Sequence, residues 1–95
     1  MNSHPDLAHV RAQIDDIDAQ LVPLLVRRTA LALQASRLKH TVSEVKGEDR
    51  VREVLDRVAV RAREAGGHEA TVQAIYRAMI TELTQLQLRA KGMEG

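Results

Sequence analysis

The sequence predicts an all-α fold, and the pattern of apolar residues is the main reason. Along most of the 95 residues, apolar positions recur at alternating spacings of three and four, as in amphipathic helices. No segment shows the sustained period-two alternation, rich in β-branched and aromatic residues, that indicates strands. Gly47 and the Gly66-Gly67 pair divide the chain. We therefore predict one domain, residues 1–95, with three helices over about 6–44, 48–65 and 69–90.

The first predicted helix is the longest, and Ser3 or Asp6 can cap its start. At about 38 residues it measures about 57 Å, whereas a compact domain of this size has a radius of gyration of about 12 Å. Its apolar seam therefore needs a second chain to cover it, and we expect an intertwined homodimeric helical bundle. The seam comprises Leu7, Val10, Ile14, Ile17, Leu21, Leu24, Leu31, Ala35, Leu38, Val42 and Val45.

The second and third predicted helices each present one apolar face. Acidic residues begin the second helix, where their negative charge interacts favourably with the positive end of the helix dipole. Gly66-Gly67 is a strong signal for the end of this helix. The face of the second helix comprises Val51, Val54, Leu55, Val58, Ala59 and Ala62. The face of the third comprises Val72, Ile75, Tyr76, Met79, Ile80 and Leu83.

The composition argues against several functional classes. Cys, Trp and Phe are absent and Tyr76 is the only aromatic residue, which excludes disulfides, Cys-ligated zinc and a base-stacking platform. The four His residues share no metal-ligand spacing, so we expect no metal. Basic and acidic residues nearly cancel, 14 against 13, which indicates no nucleic-acid or membrane partner. With neither a secretory signal nor a membrane-spanning apolar stretch evident, we expect a cytoplasmic location.

Polar residues interrupt the predicted apolar faces. Arg28 occupies the seam between Leu24 and Leu31, and Lys39, eleven residues on, would lie within about 20° of the same helix face. Gln87 continues the inward face of the third helix. One interpretation is a cavity that binds a small dicarboxylate. The other is that Arg28 extends to solvent and only sets helix register, with Lys39 exposed. The pattern alone leaves both open.

Two further Arg residues complete the candidate set. Arg50 stands at the start of the second helix, at the edge of its apolar face. Arg11 lies on a different side of the first helix from Arg28, so it cannot easily converge with Arg28 within one chain. In an antiparallel or crossed dimer, Arg11 could reach the partner's site.

This ordered set resembles the all-helical class of chorismate mutases, small three-helix chains that entwine as dimers. The resemblance covers roughly residues 7 to 90. It rests on Arg11 in VRAQIDDID, Arg28 in LLVRR, Lys39 in ASRLK, Arg50 in EDRV, and Gln87. It implies an isomerase of the shikimate pathway and aromatic amino acid biosynthesis that converts chorismate to prephenate without a cofactor.

The resemblance also implies a role for each residue. Arg28 and the partner's Arg11 would grip the substrate carboxylates, with Arg50 assisting, since guanidinium groups suit bidentate pairing. Lys39 and Gln87 would donate hydrogen bonds to the ether oxygen as negative charge grows there. Arg28, Lys39 and Gln87 are the predicted catalytic residues, and all five bind substrate.

Three positions depart from the family pattern. Where the family carries acids that hold the substrate's C4 hydroxyl, this chain has Gly47 and Val51, and where it often has Ser, this chain has Leu83. These positions stay candidate contacts with altered chemistry. The acid could come instead from one of three nearby residues: Glu44, Glu48 or Asp49. The departures leave open two related activities on the same fold: an isochorismate-pyruvate lyase, giving salicylate and pyruvate, and a 4-amino-4-deoxychorismate mutase. A non-catalytic helical dimer that serves as an interaction module, and an activating partner enzyme, also stay open.

Overall fold

The computed structural model describes residues 6–93, and all of its regular structure is helical. The helices are α1 (Leu7–Ser36), α2 (Val42–Lys46), α3 (Glu48–Glu64) and α4 (Glu69–Ala90). The described residues contain no strand, so the predicted all-α class with three long helices is confirmed. At the start of α1, the Asp6 carboxylate accepts the His9 amide at 2.8 Å and so caps the helix. Ser3, the other predicted cap, lies outside the described residues.

The predicted end of the first helix was wrong. We expected it near residue 44, but α1 ends at Ser36, and Val42–Lys46 forms the separate α2. The reason is local hydrogen bonding. The Ser36 hydroxyl donates to the Leu33 carbonyl at 2.7 Å, and Thr41, with φ −127° and ψ 159°, starts α2 as its N-cap. At 30 residues, α1 is about 45 Å long.

The early end of α1 also corrects the predicted position of Lys39. We expected Lys39 on the same face of one helix as Arg28. Lys39 instead lies in the connection between α1 and α2, so the register of α1 does not set its direction.

α3 and α4 form a helical hairpin that follows the predicted bounds closely. A Schellman motif closes α3: the Gly67 amide donates to the Ala62 carbonyl at 2.8 Å, and the Gly66 amide donates to the Arg63 carbonyl at 3.0 Å. Gly66 adopts φ +77°, a conformation that favours glycine at this position. This turn reverses the chain so that α4 packs against α3.

The buried residues follow the predicted apolar face of α3, whereas none of the residues predicted for the face of α4 is buried. Leu55, Val58 and Ala62 of α3 are buried, as is Leu88 of α4. Ile75 was predicted to face inward but is 62% exposed, because it lies about 140° around α4 from Leu88. α2 also packs against α4, and its Val45 is buried.

The chain divides into two compact units, one ending at Leu31 and the other starting at Ala32. In the first unit, the large apolar side chains of the seam of α1 are 39–63% exposed, as the values for Leu7, Val10, Ile14, Ile17, Leu21, Leu24 and Leu31 show. The second unit contains the core described above. Across residues 6–93, no helix combines the length and the apolar character needed to cross a membrane.

Candidate functional site

Arg11 and Arg28 both lie on α1, in the first unit. Arg11 is exposed and Arg28 is half-buried. The 17 residues between them correspond to about 26 Å along the helix axis and about 100° around it. Because of this separation, the α1 of one chain cannot direct both guanidinium groups at one small molecule. A site that uses both positions needs two copies of the helix.

Lys39 belongs to the second unit and lies in the connection at residues 37–41. Its backbone amide donates to the Ser36 carbonyl at 3.1 Å, and its side chain is half-buried. On the other side of Lys39, the His40 amide donates to Glu44 Oε2 at 2.9 Å. Both neighbouring segments of backbone are therefore held by hydrogen bonds.

Arg50 lies in the first turn of α3 and is part of a chain of ion pairs. Its Nη1 is 3.0 Å from Glu53 Oε1, and the same oxygen lies 2.6 Å from Arg57 Nη2. The Arg50 and Glu53 side chains are 64% and 53% exposed, so this pairing contributes little to stability. Because the pair is exposed, the Arg50 guanidinium is accessible to a ligand that carries a carboxylate.

Gln87 is the buried member of the predicted set. It lies near the end of α4, is only 7% exposed, and its Oε1 is buried with no hydrogen-bond partner among the described residues. A buried amide oxygen without a partner costs free energy, about 1–3 kcal/mol. Such groups are retained where they serve function or bind a missing partner. A half-rotation of the amide presents its NH₂ group, a hydrogen-bond donor, in the same place.

The three departing positions also lie in the second unit. Gly47 adopts φ +48° and ends α2, while its carbonyl accepts the Val51 amide at 3.0 Å at the start of α3. The left-handed backbone explains why glycine suits position 47. Val51 and Leu83 are half-buried, and their hydrocarbon side chains offer no polar group to a substrate.

Sequence reasoning missed a groove between α3 and α4. The groove has a volume of about 330 Å³ and is lined by Glu48, Val51, Arg52, Leu55 and Arg77. Arg52 and Arg77 were not among the predicted site residues because neither interrupts an apolar face. Among residues 6–93, no group of three or more His, Cys, Asp or Glu side chains is placed to hold a metal ion.

Three of the five predicted site residues belong to the compact unit in which the helices pack together. Lys39, Arg50 and Gln87 belong to one compact unit, in which both α2 and α3 pack against α4. Arg11 and Arg28 belong to the other. What the second unit offers is a buried amide on α4, a cation beside α2 and a cation at the start of α3. Cationic side chains of this kind are chemically suited to an anionic ligand.

The sequence profile of chorismate mutase type II matches residues 10–88. The chain belongs to the chorismate mutase type II family. The match includes Arg11, Arg28, Lys39, Arg50 and Gln87, and it runs from α1 through α4. No curated protein matches the chain.

Membership in the chorismate mutase type II family supports an activity of chorismate-mutase type on a small-molecule substrate. The side chains described above are compatible with that chemistry, because an intramolecular rearrangement needs binding and charge stabilisation rather than a nucleophile. The resemblance noted for the ordered cations and Gln87 thus agrees with the family that the whole matched region indicates.

Proposed function

We propose that this protein is a chorismate mutase that converts chorismate to prephenate as a homodimer. The observation that carries the proposal is Gln87, a buried amide whose Oε1 has no hydrogen-bond partner within residues 6–93, in a chain of the chorismate mutase type II family. Such a group is costly to the folded protein and useful to an enzyme that must hydrogen-bond one atom of a reacting molecule.

The proposed reaction takes place within one molecule of substrate. The ether C–O bond of chorismate breaks while a new C–C bond forms, so atoms and electrons balance without a nucleophile or co-reactant. The enzyme has two tasks: to hold the conformer in which the reacting carbons meet, and to stabilise the charge that grows on the ether oxygen. Holding the reactive conformer lowers the entropic part of the barrier.

We assign the first task to the guanidinium groups. Arg28 and the partner subunit's Arg11 would bind the two substrate carboxylates, and Arg50 would assist. Guanidinium pairs with carboxylate through two parallel hydrogen bonds, which fixes orientation as well as position. In the free protein, the Arg50 guanidinium pairs with Glu53 at 3.0 Å, and a substrate carboxylate would compete with that pair.

The second task falls to Lys39 and Gln87. Both would donate hydrogen bonds to the ether oxygen, with Gln87 turning its NH₂ group toward the substrate. These bonds strengthen as the oxygen becomes negative, so they stabilise the transition state more than bound chorismate. The burial of Gln87 excludes competing water and increases the value of its hydrogen bond.

The homodimer is part of the proposal and is supported by α1. Its seam exposes large apolar side chains along the helix, and exposed apolar surface of this extent is typical of an interface. The axial separation of Arg11 and Arg28, about 26 Å, requires a second copy of α1 if both are to bind one substrate. A second chain would therefore cover the seam and complete the site. We also propose a cytoplasmic location.

The test is a product assay with purified protein. Chorismate, isochorismate and 4-amino-4-deoxychorismate are offered separately, substrate loss is followed, and products are identified by mass. We expect prephenate from chorismate. The protein should be expressed in a host that lacks chorismate mutase, and an Arg28→Ala preparation purified in the same way controls for contamination.

Other outcomes would replace the proposal. Gly47 and Val51 offer no acid to the substrate's C4 hydroxyl, so salicylate and pyruvate from isochorismate, with little prephenate, would make the lyase the primary activity. Turnover restricted to the 4-amino compound would identify that substrate instead. No turnover of any of the three would contradict an enzyme that acts alone and would favour an interaction module or a requirement for an activating partner.

A further inference from the structure

The connection that carries Lys39 is held at both ends. On the N-terminal side, the Lys39 amide donates to the carbonyl of Ser36 at 3.1 Å, and Ser36 is 2% exposed. On the C-terminal side, the next amide, that of His40, donates to Glu44 Oε2 at 2.9 Å. Lys39 is therefore the residue between a buried anchor and a carboxylate.

Glu44 is fixed in turn by the start of α2. Its amide donates to Thr41 Oγ1 at 3.0 Å, and Thr41 is the N-cap of this helix. The pair forms a variant of the capping box, in which the acid three residues after the cap reaches back to an earlier amide. Here the acid reaches His40, one residue before the cap. Val45, next to Glu44, is 3% exposed, and α2 packs against α4, the helix that carries Gln87.

We propose that Glu44 is a positioning residue that sets the place of Lys39 relative to the helix carrying Gln87. This inference rests on the proposed function. The ammonium group of lysine ends a flexible four-carbon stem, so the reach of Lys39 depends on where its backbone is held. Glu44 ties that backbone to α2, and α2 is docked on α4. The carboxylate acts through the His40 amide, without contact to the substrate.

The role requires an acceptor oxygen and not a negative charge, which separates it from direct substrate binding. Glu44→Gln keeps an oxygen that can accept the His40 amide, whereas Glu44→Ala removes it. A displacement of about 1 Å in a reacting group can cost about 100-fold in rate. We therefore expect Glu44→Ala to lower kcat on chorismate by about 10- to 100-fold, with a smaller change in KM, and Glu44→Gln to stay close to the wild type.

A matched control is available in the same helix. Ser43 is exposed and its side chain forms no hydrogen bond within residues 6–93, so Ser43→Ala should keep the wild-type kcat. Far-UV circular dichroism of all variants checks that the overall helix content is kept. Hydrogen exchange supplies a readout that needs no substrate: the His40 amide should exchange faster in Glu44→Ala than in the wild type or in Glu44→Gln.

A double-mutant cycle identifies the residue through which Glu44 acts. If it acts through Lys39, Glu44→Ala should cause no further loss of activity in a Lys39→Met background. If Glu44→Ala lowers activity by the same factor with and without Lys39→Met, the proposal is overturned. It is also overturned if Glu44→Gln is as impaired as Glu44→Ala, because the carboxylate would then act on the substrate itself. An active wild type with an equally active Glu44→Ala variant would overturn this inference alone. A wild type inactive on every substrate would overturn the proposed function as well.

Discussion

Gln73 of α4 donates a hydrogen bond from Nε2 to the carbonyl oxygen of Leu55 in α3, at 3.0 Å. The bond joins the two helices of the hairpin beside the buried Leu55 side chain. Gln87 lies 14 residues further along the same helix, which returns it to within about 40° of the same face. Its Oε1 is buried and has no hydrogen-bond partner in the part of the chain that the structure describes. One glutamine on this face thus joins the two helices, while the other has an unused acceptor.

We predict that Gln87 lowers the stability of the folded protein and is required for its activity. Gln87→Met keeps a similar side-chain volume and removes the unpaired buried amide. The free energy of unfolding should rise by about 1–3 kcal/mol, the cost of such an unpaired group. For a domain of this size, each 1 kcal/mol raises Tm by about 4–8 °C. We expect a higher Tm together with a loss of chorismate turnover of about 100-fold or more, measured by calorimetry and by prephenate formation.

The control for this change is Gln85→Met on the exposed side of α4. Exposed substitutions usually alter stability by about 0.5 kcal/mol or less, so Tm and turnover should both stay near the wild type. All samples need the same protein concentration, because the Tm of a dimer depends on it. A Gln87→Met protein with full turnover would show that the amide has no catalytic role.

Arg28 is predicted to act in the reaction rather than in helix register. Arg28→Ala should lower kcat/KM by about 100- to 1000-fold, the loss typical of removing one group that stabilises the transition state. Arg28→Lys should recover only part of this, because lysine cannot form the bidentate pair. Steady-state kinetics with chorismate measures both effects.

The neighbouring Arg27 provides the matched control, since it is exposed on the same helix whereas Arg28 is half-buried. Arg27→Ala should keep wild-type kinetics. Light scattering on the same samples tests the alternative interpretation. If Arg28 only sets helix register, its replacement would change the mass or the stability of the assembly and would leave turnover unaltered.

Gly47 is predicted to be required for its backbone conformation. With φ +48°, a Cβ at this position would be strained, and its nearest contact would be the Glu44 carbonyl at 3.4 Å. Gly47→Ala should therefore destabilise the protein by about 1–2 kcal/mol. Chemical denaturation followed by circular dichroism measures the change.

Gly67 is a close control for the effect of φ. A Cβ at Gly67 would also approach a carbonyl, that of Ala62, at 3.4 Å, but this residue does not have positive φ. Gly67→Ala should accordingly cost much less than Gly47→Ala. Equal losses in the two variants would mean that contact with the carbonyl, and not φ, decides the effect at position 47.

The fold was predictable where the spacing of apolar residues and the positions of glycine residues indicate the same helix boundaries. The apolar face of α3 and the stop at Gly66-Gly67 gave the correct hairpin, with both helices close to their predicted bounds. The end of α1 was missed because Leu38, Val42 and Val45 continue its apolar spacing, with no glycine or proline between Ser36 and Gly47. The signal against that continuation was present in the sequence as Thr41 followed three residues later by Glu44, a capping-box signature.

The candidate site was predictable only in part, for a different reason. Arg28 and Gln87 stood out because each replaces an apolar residue in a periodic face. Arg11 and Arg50 interrupt no such face. Arg50 was a candidate because it lies at the edge of one, and Arg11 because a partner chain could bring it to the site; the ordered resemblance then supported both. Glu44 could not be found by periodicity, since its contribution is one hydrogen bond to the His40 backbone. The assignment of roles to these residues stays a prediction.

We propose that each active site joins Arg28 of one chain to Arg11 of another, and mixed dimers test this arrangement directly. Arg11→Ala and Arg28→Ala proteins should each be nearly inactive on chorismate. When the two are unfolded together and refolded as an equal mixture, half of the dimers are mixed, and one site in each mixed dimer has both arginines. We expect recovery of about a quarter of wild-type activity. No recovery, in a sample that light scattering and mass analysis show to contain mixed dimers, would contradict it.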